Sequence, residues 1–202
     1  MSGSATMFLL RRPSRQAIER FLEESRHLPL SYPNARLAET AHLGYDLDET
    51  VVPLGHGEET YQRARTALAA WTHFGFEWVE IWPRTPSLEP GTVVAVLIRH
   101  LGFWSLNGCR VLYGLGDRER GCRFGFAYGT LSNHAERGEE VFEVFQSPET
   151  GEVAYRIRAV SRPRAILARA GYPVARVLQA RFRRDSGEAM RRAVNAPVPC
   201  AR

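Results

Sequence analysis

Large and small side chains alternate most sharply between Gly121 and Leu131, a stretch that reads Gly-Cys-Arg-Phe-Gly-Phe-Ala-Tyr-Gly-Thr-Leu. At the strand period of two, Cys122, Phe124, Phe126, Tyr128 and Thr130 share one face. Gly121, Arg123, Gly125, Ala127 and Gly129 share the other, which carries a single large side chain. This pattern predicts a strand whose aromatic face covers a core or cavity. Its bare face either bends or lets another segment, such as a helix over Ser14–Arg26, come close.

The rest of the chain supplies elements to either side. Residues 1–13 read as a tail leading into a short first element. Ser14 then caps a helix that runs to Arg26 on an apolar stripe of Ile18, Phe21 and Leu22. From His42 to Val52, Leu43, Tyr45 and Leu47 alternate with His42, Asp46 and Asp48, the signature of a half-buried strand. Pro53 to Gly57 reads as a loop. A helix follows on the narrow seam of Tyr61, Ala64, Leu68 and Trp71, with Glu58 and Glu59 at the positive end of its dipole.

After Gly75 the pattern is one of strands: Phe76 to Trp82, Thr92 to Ile98, Gly102 to Gly108, and Cys109 to Leu115, with Asn107-Gly108 read as a turn. A turn at Asp117 to Arg120 pairs Cys109–Leu115 with the aromatic strand. The expected register sets Val111 opposite Phe126 and Tyr113 opposite Phe124, so Cys109, Val111, Tyr113 and Leu115 join the aromatic face. Ser132 to Gly138 reads as a polar loop, with Gly138 at a special backbone angle. Glu139–Gln146 and Glu152–Ser161 form a second hairpin. Pro163 opens a short helix that breaks at Gly171-Tyr172. Pro173 starts a longer one, to about Val194, on a stripe of Val174, Val177, Leu178, Phe182, Met190 and Val194.

The expected fold is therefore α+β: a curved antiparallel sheet of about seven strands gripping a long C-terminal helix, with an extra N-terminal helix. It is read as one domain over 1–202, with a core of about 30–194 and tails at 1–13 and 195–202. A chain of 202 residues with 44% apolar side chains buries enough surface for such a core.

Composition removes whole classes of chemistry. All 27 basic residues are arginine, so a lysine Schiff base, a phosphate-loop lysine and the protein-kinase strand lysine are excluded. Cys109, Cys122 and Cys200 are too few and too widely spaced for a zinc site or redox pair. Asp46, Asp48 and Glu49 read as a solvent edge, since no histidine or further carboxylate joins them at ligand spacing. No metal or cofactor is expected. No apolar run reaches the ~20 residues of a membrane helix. Met7-Phe8-Leu9-Leu10 followed by arginines does not make a secretory signal, so the expected compartment is the cytoplasm. Twelve arginines against Asp185 and Glu188 make residues 156–202 strongly basic. This is read as a solvated helix face rather than a surface for nucleic acid or anionic lipid, the latter two being kept as a third function class.

Several motifs carry a family resemblance. Leu54-Gly-His-Gly, Tyr61 to Trp71, Cys109-Arg-Val-Leu-Tyr, Gly125-Phe-Ala-Tyr-Gly-Thr-Leu, Glu136-Arg-Gly-Glu-Glu and Ser161-Arg-Pro resemble a domain-of-unknown-function family in the START-like, birch-pollen-allergen-like helix-grip superfamily. The match spans roughly residues 30–192. It implies a cavity for a small apolar or amphipathic ligand between sheet and C-terminal helix, and no particular reaction.

The candidate cavity residues are Tyr113, Phe124, Phe126, Tyr128, Tyr155 and Phe182. The tyrosines stand out because a buried phenol needs a partner and can orient a polar group. His134, Glu136 and Glu139 are the candidate acid–base residues of the alternative, a cyclase, isomerase or hydrolase on the same scaffold. A zinc-deaminase reading of His134-x-Glu136 fails for want of a following Pro-Cys-x-x-Cys. No Gly-x-Ser-x-Gly elbow supports a serine nucleophile either.

Overall fold

The computed structural model describes residues 7–33, 36–39, 44–116, 123–163 and 172–197. These form eight strands, β1 (Met7–Leu9), β2 (Asp46–His56), β3 (Val79–Trp82), β4 (Val93–His100), β5 (Phe103–Leu115), β6 (Arg123–Thr130), β7 (Glu136–Gln146) and β8 (Glu152–Pro163). Three α-helices accompany them: α1 (Arg15–Ser25), α2 (Glu58–Ala69) and α3 (Tyr172–Asn195). The strands make one antiparallel sheet in the order β2-β8-β7-β6-β5-β4-β3, with β1 paired to the start of β5. Met7–Leu9 pairs into the sheet as a strand that the alternation does not show, while the expected strands at 102–108 and 109–115 run as one. The predicted short helix after Pro163 and the turn at Asp117–Arg120 lie outside the described residues.

The two faces of the sheet are covered differently. On the concave face, Val94, Val96, Cys109, Val111, Phe126, Phe142, Val144, Tyr155 and Ile157 pack against Tyr61, Leu68 and Trp71 of the α2 region and Met190 and Val194 of α3. Gly187 lets α3 close onto β2, where an added Cβ would stand 2.7 Å from Val52 Cγ2. On the convex face, Ile18 and Phe21 of α1 lie over Ala95, Leu97 and Leu106. The predicted cap holds, with Ser14 Oγ accepting from the Ala17 N–H at 3.2 Å.

The glycine face of β6 has its predicted close neighbour, which is Tyr32 rather than the N-terminal helix. A Cβ on Gly129 would lie 2.1 Å from the Tyr32 hydroxyl, so only glycine admits the phenol there. Helix α1 packs over β4 and β5 instead, because its stripe matches the apolar residues of those strands.

Four expectations are corrected. Asn107-Gly108 is no turn: β5 runs unbroken from Phe103, and the Asn107 amide donates to Val96 O and Ser105 Oγ inside the sheet. The reversal lies at Leu101-Gly102, both with positive φ (49° and 81°), as a two-residue hairpin turn of the sheet's own twist requires. Pro53–Gly57 is not a loop, since β2 continues to His56 through a bulge between Pro53 and Gly55.

In the β5–β6 hairpin Val111 pairs with Tyr128, then an extra residue intervenes and Tyr113 pairs with Ala127. That bulge turns Tyr113 to the convex face beside Leu112, where both pack with Ala127 and Val141. Finally, the polar loop is shorter than expected because β7 begins at Glu136. Gly138 has no positive φ; it is needed for close approach, since a Cβ there would lie 2.2 Å from Val160 O.

Candidate functional site

Strand β7 opens with two carboxylates, Glu136 and Glu140, that share the concave face with Phe142 and Val144 by the period of two. Across the ladder Tyr128 pairs with Glu140, and its hydroxyl donates to Glu140 Oε2 at 2.6 Å. Helix α3 lies over this end of the sheet. Gln179 donates to both oxygens of Glu136, at 3.1 and 3.0 Å, and to Ser161 Oγ at 3.2 Å. One turn back, Arg176 donates to Gln179 Oε1 at 3.0 Å and to Asp48 Oδ1 at 2.8 Å. Arg183 approaches the same Asp48 at 3.4 Å. Farther along α3, Ser186 shares a hydrogen bond of 3.0 Å with the hydroxyl of Tyr155.

The electrostatics follow from this placement. Burial raises the Glu140 carboxyl to about 7; the Tyr128 hydrogen bond opposes the shift and Glu136 adds to it. Burial raises Glu136 too, against the hydrogen bond from Gln179 and the charge of Arg176. Asp48 is held below its ordinary range by the Arg176 hydrogen bond. Cys109 and Tyr128 are pushed up by burial and by Glu140, so both stay protonated. The result is a carboxyl that changes protonation near neutrality, next to a phenol that does not. Such a pair can accept or donate a hydrogen bond to a bound polar group, or move a proton.

The residues singled out in the sequence separate into two groups. Phe124, Phe126, Tyr128, Tyr155 and Phe182 all belong to the concave core, with Glu136 at its polar end. Within it, rings of Phe74, Phe126, Tyr128, Phe142 and Phe182 stand 4.6–6.4 Å from their neighbours, a packed aromatic cluster into which the 3-10 turn Thr72–Phe74 drops His73 and Phe74. Phe124 is half-buried and faces Arg65 of α2 at 5.1 Å.

Tyr113 and Glu139 meet on the opposite, convex face. There the buried Glu139 accepts from Tyr113 OH (2.7 Å), Tyr32 OH (3.1 Å) and the backbone N–H groups of Leu37 (3.1 Å) and Ala38 (3.4 Å). That carboxylate fastens Tyr32, Leu37 and Ala38 to the sheet and is turned away from the grip. His134 sits in the turn before β7, its Nδ1 accepting from the Glu136 N–H at 2.9 Å.

Sequence reading passed over Glu140, Gln179, Arg176 and Arg183, and took Asp48 for a solvent edge. Counting by two from Phe142 places Glu140 among apolar residues, and that signal was present. Nothing local marks Gln179 as a partner of Glu136, 43 residues away, or Asp48 as a partner of Arg176, 128 residues away.

Comparison with known proteins settles the kinship. Residues 31–189 match the family model described as a domain of unknown function, DUF1990. The chain belongs to this family. It is 32% identical to a UPF0548 protein of Dictyostelium discoideum, over 94% of this chain and 97% of that one. With a UPF0548 protein of Arabidopsis thaliana it shares 33% identity, over 80% and 81%. Among solved structures, Ara h 8.0201 is similar at a TM-score of 0.44 and 12% identity, covering 76% of this chain and all of that one. In this member no helix among the described residues is long and apolar enough to cross a membrane.

Proposed function

We propose that this DUF1990 protein binds a small amphipathic ligand between the sheet and the amino-terminal half of α3. The ligand's polar group is held by Glu140 and Tyr128, and its apolar body lies against Leu178 and Phe182. One observation carries the reading: the core phenol of Tyr128 donates at 2.6 Å to the half-buried Glu140, whose carboxyl is raised to about 7 at the polar end of the core beside Glu136 and Asp48. A fold gains nothing from an ionised carboxylate in such a place, so the group is explained by what it contacts when the site is filled. The position fits as well, since Arg176, Leu178, Gln179, Phe182 and Arg183 are only half-buried, whereas the later turns of α3 are sealed against the core.

The test is native mass spectrometry of the full chain purified from cells, together with displacement of an environment-sensitive fluorescent probe. Bound apolar mass and probe binding are expected, and Glu140→Gln and Tyr128→Phe should each weaken probe binding about tenfold, the cost of one good buried hydrogen bond. Above pH 7 an ionised Glu140 costs stability, because the unfolded chain holds the same charge in water. Glu140→Gln is therefore expected to be about 1–3 kcal/mol more stable than the parent at pH 8 while binding less. Absence of bound mass, with probe binding unchanged in both variants, rejects the site.

The same pair supports a second reading, proton transfer in a cyclase, isomerase or hydrolase reaction. A carboxyl titrating near 7 is the type of group that performs general acid–base catalysis at cellular pH.

A further inference from the structure

The β4–β5 hairpin places an unusual group of side chains at one corner of the molecule. Leu101 is 74% exposed at its tip and Phe103 is 44% exposed just beyond. Leu10 is 77% exposed and follows Leu9, which pairs with Trp104, so it is level with Phe103. Three of the six exposed large hydrophobics among the described residues thus meet at one spot, where scattered single ones would need no explanation.

Behind the tip are two adjoining depressions of about 240 and 410 Å³, which share Trp78, Arg99 and Arg181. Arg181 stacks over the Trp78 ring at 4.6 Å from its centre. Arg99 is exposed, with no ion pair among the described residues. Trp104 and His100 close the larger depression.

The charge around this corner is positive. Arg11, Arg99, Arg181, Arg184 and Arg192 stand against Glu77, Asp185 and Glu188. Two of those acids are engaged locally: Asp185 accepts from Trp78 Nε1 at 2.8 Å and pairs with Arg184 and Arg181, and Glu188 faces Arg192 at 3.8 Å.

We infer that this corner docks on an anionic phospholipid membrane surface. Leu101, Phe103 and Leu10 enter the boundary between headgroups and acyl chains. Arg99 and Arg181 hold lipid phosphates in the depression, and the half-buried Trp104 sits at headgroup depth. Exposed aliphatic and aromatic tips rimmed by arginine and backed by tryptophan match the layering of a bilayer interface, apolar innermost and anionic outside. A nucleic acid would use the arginines and stacked rings but has no use for Leu101 and Leu10, and that decides between the two polyanions. The inference is independent of the ligand reading, although the tip lies at the same end of the strands as Glu136.

The test is co-sedimentation of the full chain with vesicles of phosphatidylcholine alone or mixed with phosphatidylglycerol, at low and high salt. Sedimentation is expected only with the mixed vesicles, weakening as salt screens the arginines. Leu101→Asp should abolish most of it and Arg99→Glu should lower it about tenfold. Val177→Asp, an exposed apolar position elsewhere (68%), should leave it unchanged. All three positions are exposed, and near-ultraviolet circular dichroism verifies that each variant is folded. Equal binding to neutral vesicles, no binding at all, or wild-type binding by Leu101→Asp overturns the inference. So does a single-stranded oligonucleotide or inorganic phosphate that binds equally well to the parent and Leu101→Asp and removes the protein from vesicles.

Discussion

His73 is fully buried in the aromatic cluster, against Trp71, Phe74, Phe126, Phe142 and Tyr155, and neither ring nitrogen has a hydrogen-bond partner among the described residues. Burial alone depresses its pKa to about 3, so it is neutral throughout the physiological range. Its folded value lies below its unfolded one, so stability is intact above pH 6.5 and declines as pH falls from there to about 3. At ~1.4 kcal/mol per unit the whole window amounts to about 4–5 kcal/mol. His73→Leu is expected to flatten this acid limb of the unfolding free energy, measured by urea denaturation from pH 7 down to 4; a limb of unchanged slope would show that another group sets it. Glu140 acts in the opposite sense, losing stability as pH rises from about 4.5 to 7, so the two contributions separate by direction. Both residues contradict the local rule for their surroundings. Only Glu140 has a polar partner at hand, which is why the functional reading rests on it and not on His73.

At the scale of elements, the outcome turned on how strands meet rather than on whether they exist. The β5–β6 hairpin, the β7–β8 hairpin and the capped α1 all appear where the alternation and Ser14 put them. The bulge after Val111 has no local signature, and it alone moved Tyr113 from the expected ligand face to the Glu139 cluster. Asn107-Gly108 had the composition of a turn, but its polar atoms are satisfied within the sheet, so tertiary pairing overrode the dipeptide. The Gly129–Tyr32 contact offers a direct measurement. Gly129→Ala should cost about 1–3 kcal/mol by displacing the phenol from Glu139. Tyr32→Phe should recover part of that cost in the double variant, since it removes the atom 2.1 Å from the new methyl. Strict additivity in denaturant midpoints would mean that the two sites do not touch.

For the molecule as a whole, one sheet holds two differently built faces. The convex face is stapled by α1 and by the Tyr32–Glu139–Tyr113 cluster, and the concave face is closed by α2 and the later turns of α3. Ser186, Gly187, Ala189, Met190 and Val194 are buried, whereas residues 175–184 are half-buried or exposed. Hydrogen exchange should accordingly be faster in amides 175–184 than in 186–194, and protection of the first group should rise when the amphipathic probe is bound. Uniform exchange along α3 would remove the loosely covered end to which the ligand is assigned.

The chain's own alternation determined the α+β class, the aromatic face of β6, the capped first helix and the long amphipathic last one, because each depends on neighbours within a few residues. The composition determined that no lysine chemistry is available. The tertiary structure decided which carboxylate matters. Glu139 and Glu140 are adjacent in sequence and equally acidic as residues, yet the pleat sends them to opposite faces of the sheet. One is surrounded by four donors. The other meets a single phenol beneath a helix that begins more than 30 residues later, and burial by that distant covering raises its pKa.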